Sequence, residues 1–165
     1  MKVLHQGRAQ MHTWRPAQTI KVKSLGLHWR GNSLLAAEVY DDAGTLKGVR
    51  PLGGTLEFGE DWQSALIREF QEELKIDVTI TGAPLVMENI YEHEGQTGHE
   101  VLFIATVTFP EDAFASEEKI IFQEDNGAEI TARWFDIDAL NERGIDLFPT
   151  GLKEQLKSRP MPEIS

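Results

Sequence analysis

Residues 53–76 carry six carboxylates, Glu57, Glu60, Asp61, Glu69, Glu72 and Glu73, with Arg68 among them. Carboxylates at that density repel one another unless a cation sits between them. Oxygen ligands of this kind suit a hard divalent ion, Mg²⁺ or Mn²⁺. On an α-helix, positions three and four apart share a face. Glu69, Glu72 and Glu73 stand at i, i+3 and i+4, so their side chains converge. Glu60 lies just ahead of the helix. Arg68 precedes Glu72 by four residues, where it can pair with that carboxylate and fix it. The competing reading is an acidic helix that only faces solvent, which is the commoner use of such a pattern.

The elements around this segment must hold it in place. Leu66, Phe70 and Leu74 form an i, i+4, i+8 stripe that docks the helix on a core beside its acidic face. Asp61 fits an N-cap before Trp62. Ahead of it, Pro51-Leu52-Gly53-Gly54 reads as a flexible loop able to approach a ligand closely. Ile20 and Val22 alternate with Lys21 and Lys23, as a strand does. The apolar phase then slips to Leu25, Leu27 and Trp29, which predicts a bulge near Ser24–Gly26 or two separate strands. Arg30-Gly31-Asn32-Ser33 reads as a hairpin turn into a strand from Leu34 to Tyr40. Asp42-Ala43-Gly44 turns the chain back toward Leu46 and Val49. Val78–Ile80 reads as a short strand. Leu85–His93 and Glu100–Phe109 form a long hairpin around Gly95–Gly98. Ala128–Phe135 is a further strand, and Asp138–Asn141 and Thr150–Lys157 are expected to be short helices. The pattern gives an α/β or α+β class.

The box segment resembles the Nudix hydrolases, whose signature runs G-x5-E-x7-R-E-U-x-E-E-x-G-U, with U a bulky apolar residue. Gly54 opens it, Glu60 follows, then Arg68 and Glu69, Phe70 at the first U, Glu72 and Glu73, and Ile76 at the last U. Lys75 replaces the second glycine, which normally ends the helix in a left-handed turn. The resemblance implies an α/β/α sandwich with a mixed central sheet. It implies Mg²⁺ or Mn²⁺ held by Glu69, Glu72 and Glu73, with the Gly53 carbonyl as a further ligand and Glu60 in support. It also implies attack of water on a phosphorus of a nucleoside diphosphate derivative. The general base is a helix glutamate or an acid from a later loop, with Glu124, Asp125 and Glu129 the candidates; Glu129 holds the position where the family often carries one. An alternative is a catalytically silent module of the same fold that binds nucleotides.

Substrate phosphates call for cations that the box does not supply. Arg50 immediately precedes the glycine pair and is expected to reach into the site. His99 is a candidate substrate contact and His93 a weaker one, while Trp134 and Phe135 read as core. Tyr91 falls fifteen residues beyond the box, a placement similar to that in dinucleoside polyphosphate hydrolases. Those substrates, nucleotide sugars and nucleoside triphosphates all remain open.

A chain of 165 residues has the size of one domain. Residues 1–15 are expected to be a poorly ordered N-terminal segment, with Met11 an alternative start, and 16–165 a single domain. The segment lacks the apolar core of a signal peptide, and no run approaches a membrane span. Cysteine is absent, which excludes disulfides and thiol catalysis and fits a cytoplasmic location. A net charge of −11 argues against nucleic-acid backbone binding. A small anionic substrate stays compatible, because a bound metal reverses the local sign. The expected partner is a nucleotide-like small molecule. A homodimer is left open.

Overall fold

The computed structural model describes residues 14–158. Met11 and most of the N-terminal segment lie outside the described residues. In chain order the elements are β1 (Ile20–Leu27), β2 (Trp29–Arg30), β3 (Ser33–Tyr40), β4 (Leu46–Thr55), α1 (Trp62–Leu74), β5 (Thr79–His93), β6 (Gln96–Thr108), β7 (Lys119–Gln123), β8 (Glu129–Asp136), β9 (Asp146–Leu147) and α2 (Leu152–Ser158).

Leu66, Phe70 and Leu74 are buried along one face of α1. They pack with Leu35, Leu52, Val107 and Phe122 from the sheet. Asp61 caps the helix, its Oδ1 accepting from the Ser64 N–H at 2.8 Å. The sheet runs β5-β6-β1-β4-β3-β8-β7, with β2 on β3 and β9 on β4. The β1–β6 and β4–β9 pairs are parallel and the others antiparallel. A second cluster, including Leu25, Leu34, Val49, Ile104, Leu147 and Leu152, fills the face opposite α1. The result is a mixed, mostly antiparallel sheet between α1 on one side and α2 with its preceding segment on the other.

Several local expectations are corrected. β1 is one strand without a bulge, in unbroken parallel register with β6. Its phase slip has a packing cause: both faces are covered, and the side under α1 has room only for small residues. Ser24 donates to the Trp62 carbonyl at 2.8 Å, and a Cβ at Gly26 would stand 2.7 Å from the Phe70 ring. Pro51–Gly54 is not a flexible loop but the end of β4, with Gly53 opposite Leu25 and Gly54 opposite Ser24. The segment Val78–Ile80 is continuous with the strand that follows it. β5 absorbs Gly82–Pro84 as a register irregularity between Thr81 and Leu85. The hairpin turn is Glu94-Gly95, both at positive φ, and Gly98 lies within β6. Residues 137–140 form a turn, so no α-helix spans Asp138–Asn141, and a short 3₁₀ helix follows at Asn141–Arg143. β7 was not anticipated.

The long β5–β6 hairpin arches across the face opposite α1. Its tip meets the β3–β4 turn, where Lys47 Nζ lies 3.2 Å from His93 Nδ1 and the Asp42 N–H lies 3.2 Å from Glu94 Oε1. That arch makes the face concave.

The helix still ends where the signature glycine would end it. Lys75 adopts φ 58° and donates its N–H to the Gln71 carbonyl, while its ammonium caps the Glu72 carbonyl at 2.8 Å. A left-handed lysine carries steric strain that glycine does not. Lys75→Gly is therefore expected to raise stability by ~0.5–1 kcal/mol, and Lys75→Val to lower it, as read by chemical denaturation.

Candidate active site

The site forms where α1 lies against the end of β4. Position 53 must be glycine for a backbone reason: its φ is 155°, and a Cβ there would stand 1.9 Å from the Ser24 carbonyl oxygen. At Gly54 the constraint comes from the opposite side. A Cβ would stand 2.2 Å from the carboxyl carbon of Glu69. The absence of a side chain thus lets that carboxylate sit directly on the strand.

Arg68 organises the acids. It grips Glu60 with two bonds of 2.8 Å, through Nε and Nη2. It reaches Glu69 at 3.0 Å and Glu72 at 3.3 Å through Nη1. Nη2 also donates to the Thr55 carbonyl at 3.1 Å, which ties the helix to β4. Glu60 also accepts from the Glu57 N–H at 3.1 Å. These donors hold the Glu60 carboxyl well below the usual range, at about 2, with the Arg68 hydrogen bond the largest cause. Glu60 is therefore engaged in holding Arg68.

Carboxylate oxygens of Glu69, Glu72 and Asp125 lie within 4.8 Å of one another. Asp125 comes from the β7–β8 turn, far away in sequence. Burial raises the Glu69 carboxyl above its ordinary value, against the pull of Arg68. Glu73 stands beside them. Burial first, then the charges of Glu69 and Glu124, push it up to about 8, with Arg50 acting in the other direction. Arg50 itself pairs with Glu124. Burial is the first cause of both shifts, and neighbouring carboxylate charge adds to it. Oxygen-only donors in that condition fit a divalent cation such as Mg²⁺ or Mn²⁺.

Not every residue singled out in the sequence arrives here. Glu129 is exposed at the start of β8, paired with Gln123. Its neighbour Ile130 faces the α1 side, so Glu129 points to the other face. The turn before it, with Glu124 and Asp125, is what meets the glutamates. His99 Nε2 is engaged with Glu88 at 3.2 Å. His93 is buried beside Lys47. Tyr91 lies on the concave face opposite α1. Phe135 is core, and Trp134 lies under the Arg30 guanidinium, 3.5 Å from the ring centroid. Asp125 was read only as a base candidate. The Asp125-Asn126-Gly127 run is a hairpin signal that would have exposed both β7 and the turn. A second acidic group, Asp42, His93 and Glu94, already has its cations, Arg15 on Asp42 and Lys47 on His93.

This arrangement defines a class before it defines a family: a carboxylate-lined centre on an α/β/α scaffold, with an oxygen donor set that fits a divalent ion. The NUDIX domain model matches residues 29–156, and the chain belongs to that family of pyrophosphohydrolases. The structure is similar to that of the E. coli ORF135 protein, with TM-score 0.52, 20% identity and coverage of 87% of this chain and 95% of that one. It is similar to a NUDIX hydrolase from Nitrosomonas europaea, with TM-score 0.51, 22% identity and coverage of 85% and 87%. It also resembles the MutT protein of Bacillus halodurans, with TM-score 0.50, 16% identity and coverage of 83% and 80%. A search of curated proteins found no match. At these identities the solved structures establish the fold. Among the described residues, no helix is long and apolar enough to cross a membrane.

The Glu73 shift has a consequence for the metal-free protein. Its folded pKa of about 8 exceeds the ordinary 4.5, so the folded state binds the proton more tightly than the unfolded state. The associated stability is complete below the unfolded value and is lost as pH rises through 8. In the presence of a chelator, denaturation from pH 5 to 9 should show wild type losing stability relative to Glu73→Gln as pH rises. Parallel curves would show that Glu73 titrates normally.

Proposed function

We propose that this protein hydrolyses the pyrophosphate bond of a nucleoside diphosphate derivative with the help of Mg²⁺ or Mn²⁺. The observation that carries the reading is the convergence of Glu69, Glu72 and Asp125 beside a Glu73 carboxyl pushed up to about 8. Glu69, Glu72 and Asp125 would hold the ion, with Glu73 and the Gly53 carbonyl adjoining them. The ion supplies Lewis-acid chemistry, offsetting charge on the pyrophosphate oxygens and making water a better nucleophile at neutral pH.

The chain's own groups divide the remaining work. Arg68 keeps Glu69 and Glu72 facing the centre and is itself held by Glu60 and the Thr55 carbonyl. It acts on the substrate through those carboxylates, and the bidentate Glu60 contact fixes its plane. Glu73, beside the acids that would hold the ion, accepts the proton of the attacking water; with a cation next to it Glu73 is ionised, and a carboxylate beside an ion-activated water needs only modest basicity. Arg50 binds phosphate oxygens, exchanging its pairing with Glu124 for the substrate. The bare backbone at Gly54 seats the Glu69 carboxylate against the strand, so the acids that would hold the ion are fixed before substrate arrives. Diadenosine polyphosphates, nucleotide sugars and nucleoside triphosphates all present the required linkage. A cytoplasmic location suits such substrates and a cysteine-free chain.

Screening nucleoside diphosphate derivatives with Mg²⁺ and Mn²⁺, and measuring released phosphate or mononucleotide, tests the reading. Glu72→Gln, Glu73→Gln and Asp125→Asn should each lower kcat by ~10²–10⁴-fold with far-ultraviolet circular dichroism unchanged. Full activity in all three variants would remove the carboxylate centre from the mechanism.

A further inference from the structure

The candidate ion site draws on two elements that the sheet does not hold together. Strand β8 stops pairing with β3 at Ala37–Ala132. The β7–β8 hairpin runs on for three more pairs, Ile121–Thr131, Phe122–Ile130 and Gln123–Glu129, before it turns. Phe122 and Ile130 root this overhang in the core under α1. Its tip lies past the end of the pairing with β3, yet it carries Asp125, one of the three acids that converge.

Charge works against that placement. Glu124 and Asp125 are adjacent, and the helix they approach presents Glu69, Glu72 and Glu73. Arg68 directs its donors to Glu60, Glu69, Glu72 and the Thr55 carbonyl, all outside the turn. Among the described residues, the turn has one side-chain tie to the rest of the chain, the ion pair of Glu124 with Arg50.

The sheet is built to allow that tie. Arg50 stands on β4 opposite Ala37, which stands opposite Ala132 of β8. Both alanines are fully buried on the α1 side and too small to block the guanidinium's path to the turn. Glu124 follows the buried Phe122 by two residues, so strand alternation turns it to the same side. Within the turn, the Gly127 N–H donates to the Glu124 carbonyl at 2.8 Å and the Glu124 N–H to the Ala128 carbonyl at 3.0 Å. Asn126 Oδ1 accepts from the Ala128 N–H at 2.9 Å. These bonds make the turn one unit, so a grip on Glu124 sets where its neighbour Asp125 stands.

We propose that Glu124 is a positioning residue: gripped by Arg50 in the substrate-free protein, it latches the β7–β8 turn over α1, so that Asp125 completes the ion site with Glu69 and Glu72. The proposal rests on the reading that these three acids hold the divalent ion. Two arginines then divide the acids, Arg68 serving the helix and Arg50 the turn. When a substrate phosphate takes Arg50, Asp125 keeps its place through the ion it shares with the helix. The latch therefore governs assembly of the site rather than the later reaction.

The direction of one effect separates a latch from a plain charge effect. Removing Arg50 takes positive charge away from a cation site, which by itself tightens cation binding; loss of a latch weakens it. Mn²⁺ titration of the full chain without substrate, followed by calorimetry and by the electron paramagnetic resonance of free Mn²⁺, reads the difference. Arg50→Met and Glu124→Gln should each weaken Mn²⁺ binding by about 10- to 100-fold, the scale for losing a partner that orients a metal ligand. The double variant should be no weaker than either single one, because both act through one contact. Hydrogen exchange of the metal-free Arg50→Met protein should rise over residues 121–130 and not over α1. Unchanged or tighter Mn²⁺ binding by Arg50→Met would overturn the proposal, as would additive losses in the double variant. Asp125→Asn keeps the two possible failures apart. Intact Mn²⁺ affinity in that variant sinks the ion-site reading, whereas a loss there, with both latch variants unaffected, rejects the latch alone.

Discussion

A single guanidinium sits among carboxylates that would otherwise separate. Arg68 binds Glu60 with two bonds, reaches Glu69 and Glu72, and anchors to the Thr55 carbonyl. Its charge is insufficient for all of them. Glu60, which takes the strongest contacts, is held ionised; Glu69 and Glu73, which lie deeper, are raised. The arrangement is stable as a scaffold and short of positive charge as a site. That imbalance is what a divalent ion would relieve, and it explains why acids cluster in a place where hydrophobic packing would have been easier.

The fold supplies the constraint that keeps this imbalance from dissipating. Phe70 fixes the rotation of α1 by packing against Gly26, where no Cβ intervenes. Glu69, one residue earlier, is then directed onto Gly54. The two glycines on β1 and β4 are thus spacing devices: one sets the helix height and the other admits the carboxylate. Across the same sheet, a Cβ at Gly98 would meet the Tyr91 ring, so Gly98 does for Tyr91 what Gly54 does for Glu69. The catalytic face and the concave face are built by the same means, a side chain laid onto bare strand backbone.

Much of this was legible in the sequence because it is local. The Asp61 cap and the Leu66-Phe70-Leu74 stripe follow from helical geometry and stand where expected; of the i, i+3, i+4 glutamates, Glu69 and Glu72 group with Asp125, and Glu73 stands beside them rather than within that group. The Glu60–Arg68 contact also lies within one short segment. What could not be read depends on distant strands. Asp125 joins Glu69 and Glu72 only because β7 and β8 pair and their turn reaches over α1, and the strand Lys119–Gln123 was missed. Glu129 has the right residue type, but strand alternation turns it to the other face. Gly53 and Gly54 looked like loop residues because glycine's local preference for turns is stronger than the signal that a neighbouring strand needs the space.

The central claim is that one cation site is shared by acids from α1 and from the β7–β8 turn. Its most direct measurement is a crystal grown or soaked with Mn²⁺ and examined by anomalous scattering. The account predicts a peak coordinated by Glu69, Glu72 and Asp125, next to the Gly53 carbonyl and Glu73. A peak bound elsewhere, or these three carboxylates splayed apart with no ion between them at saturating Mn²⁺, would contradict it.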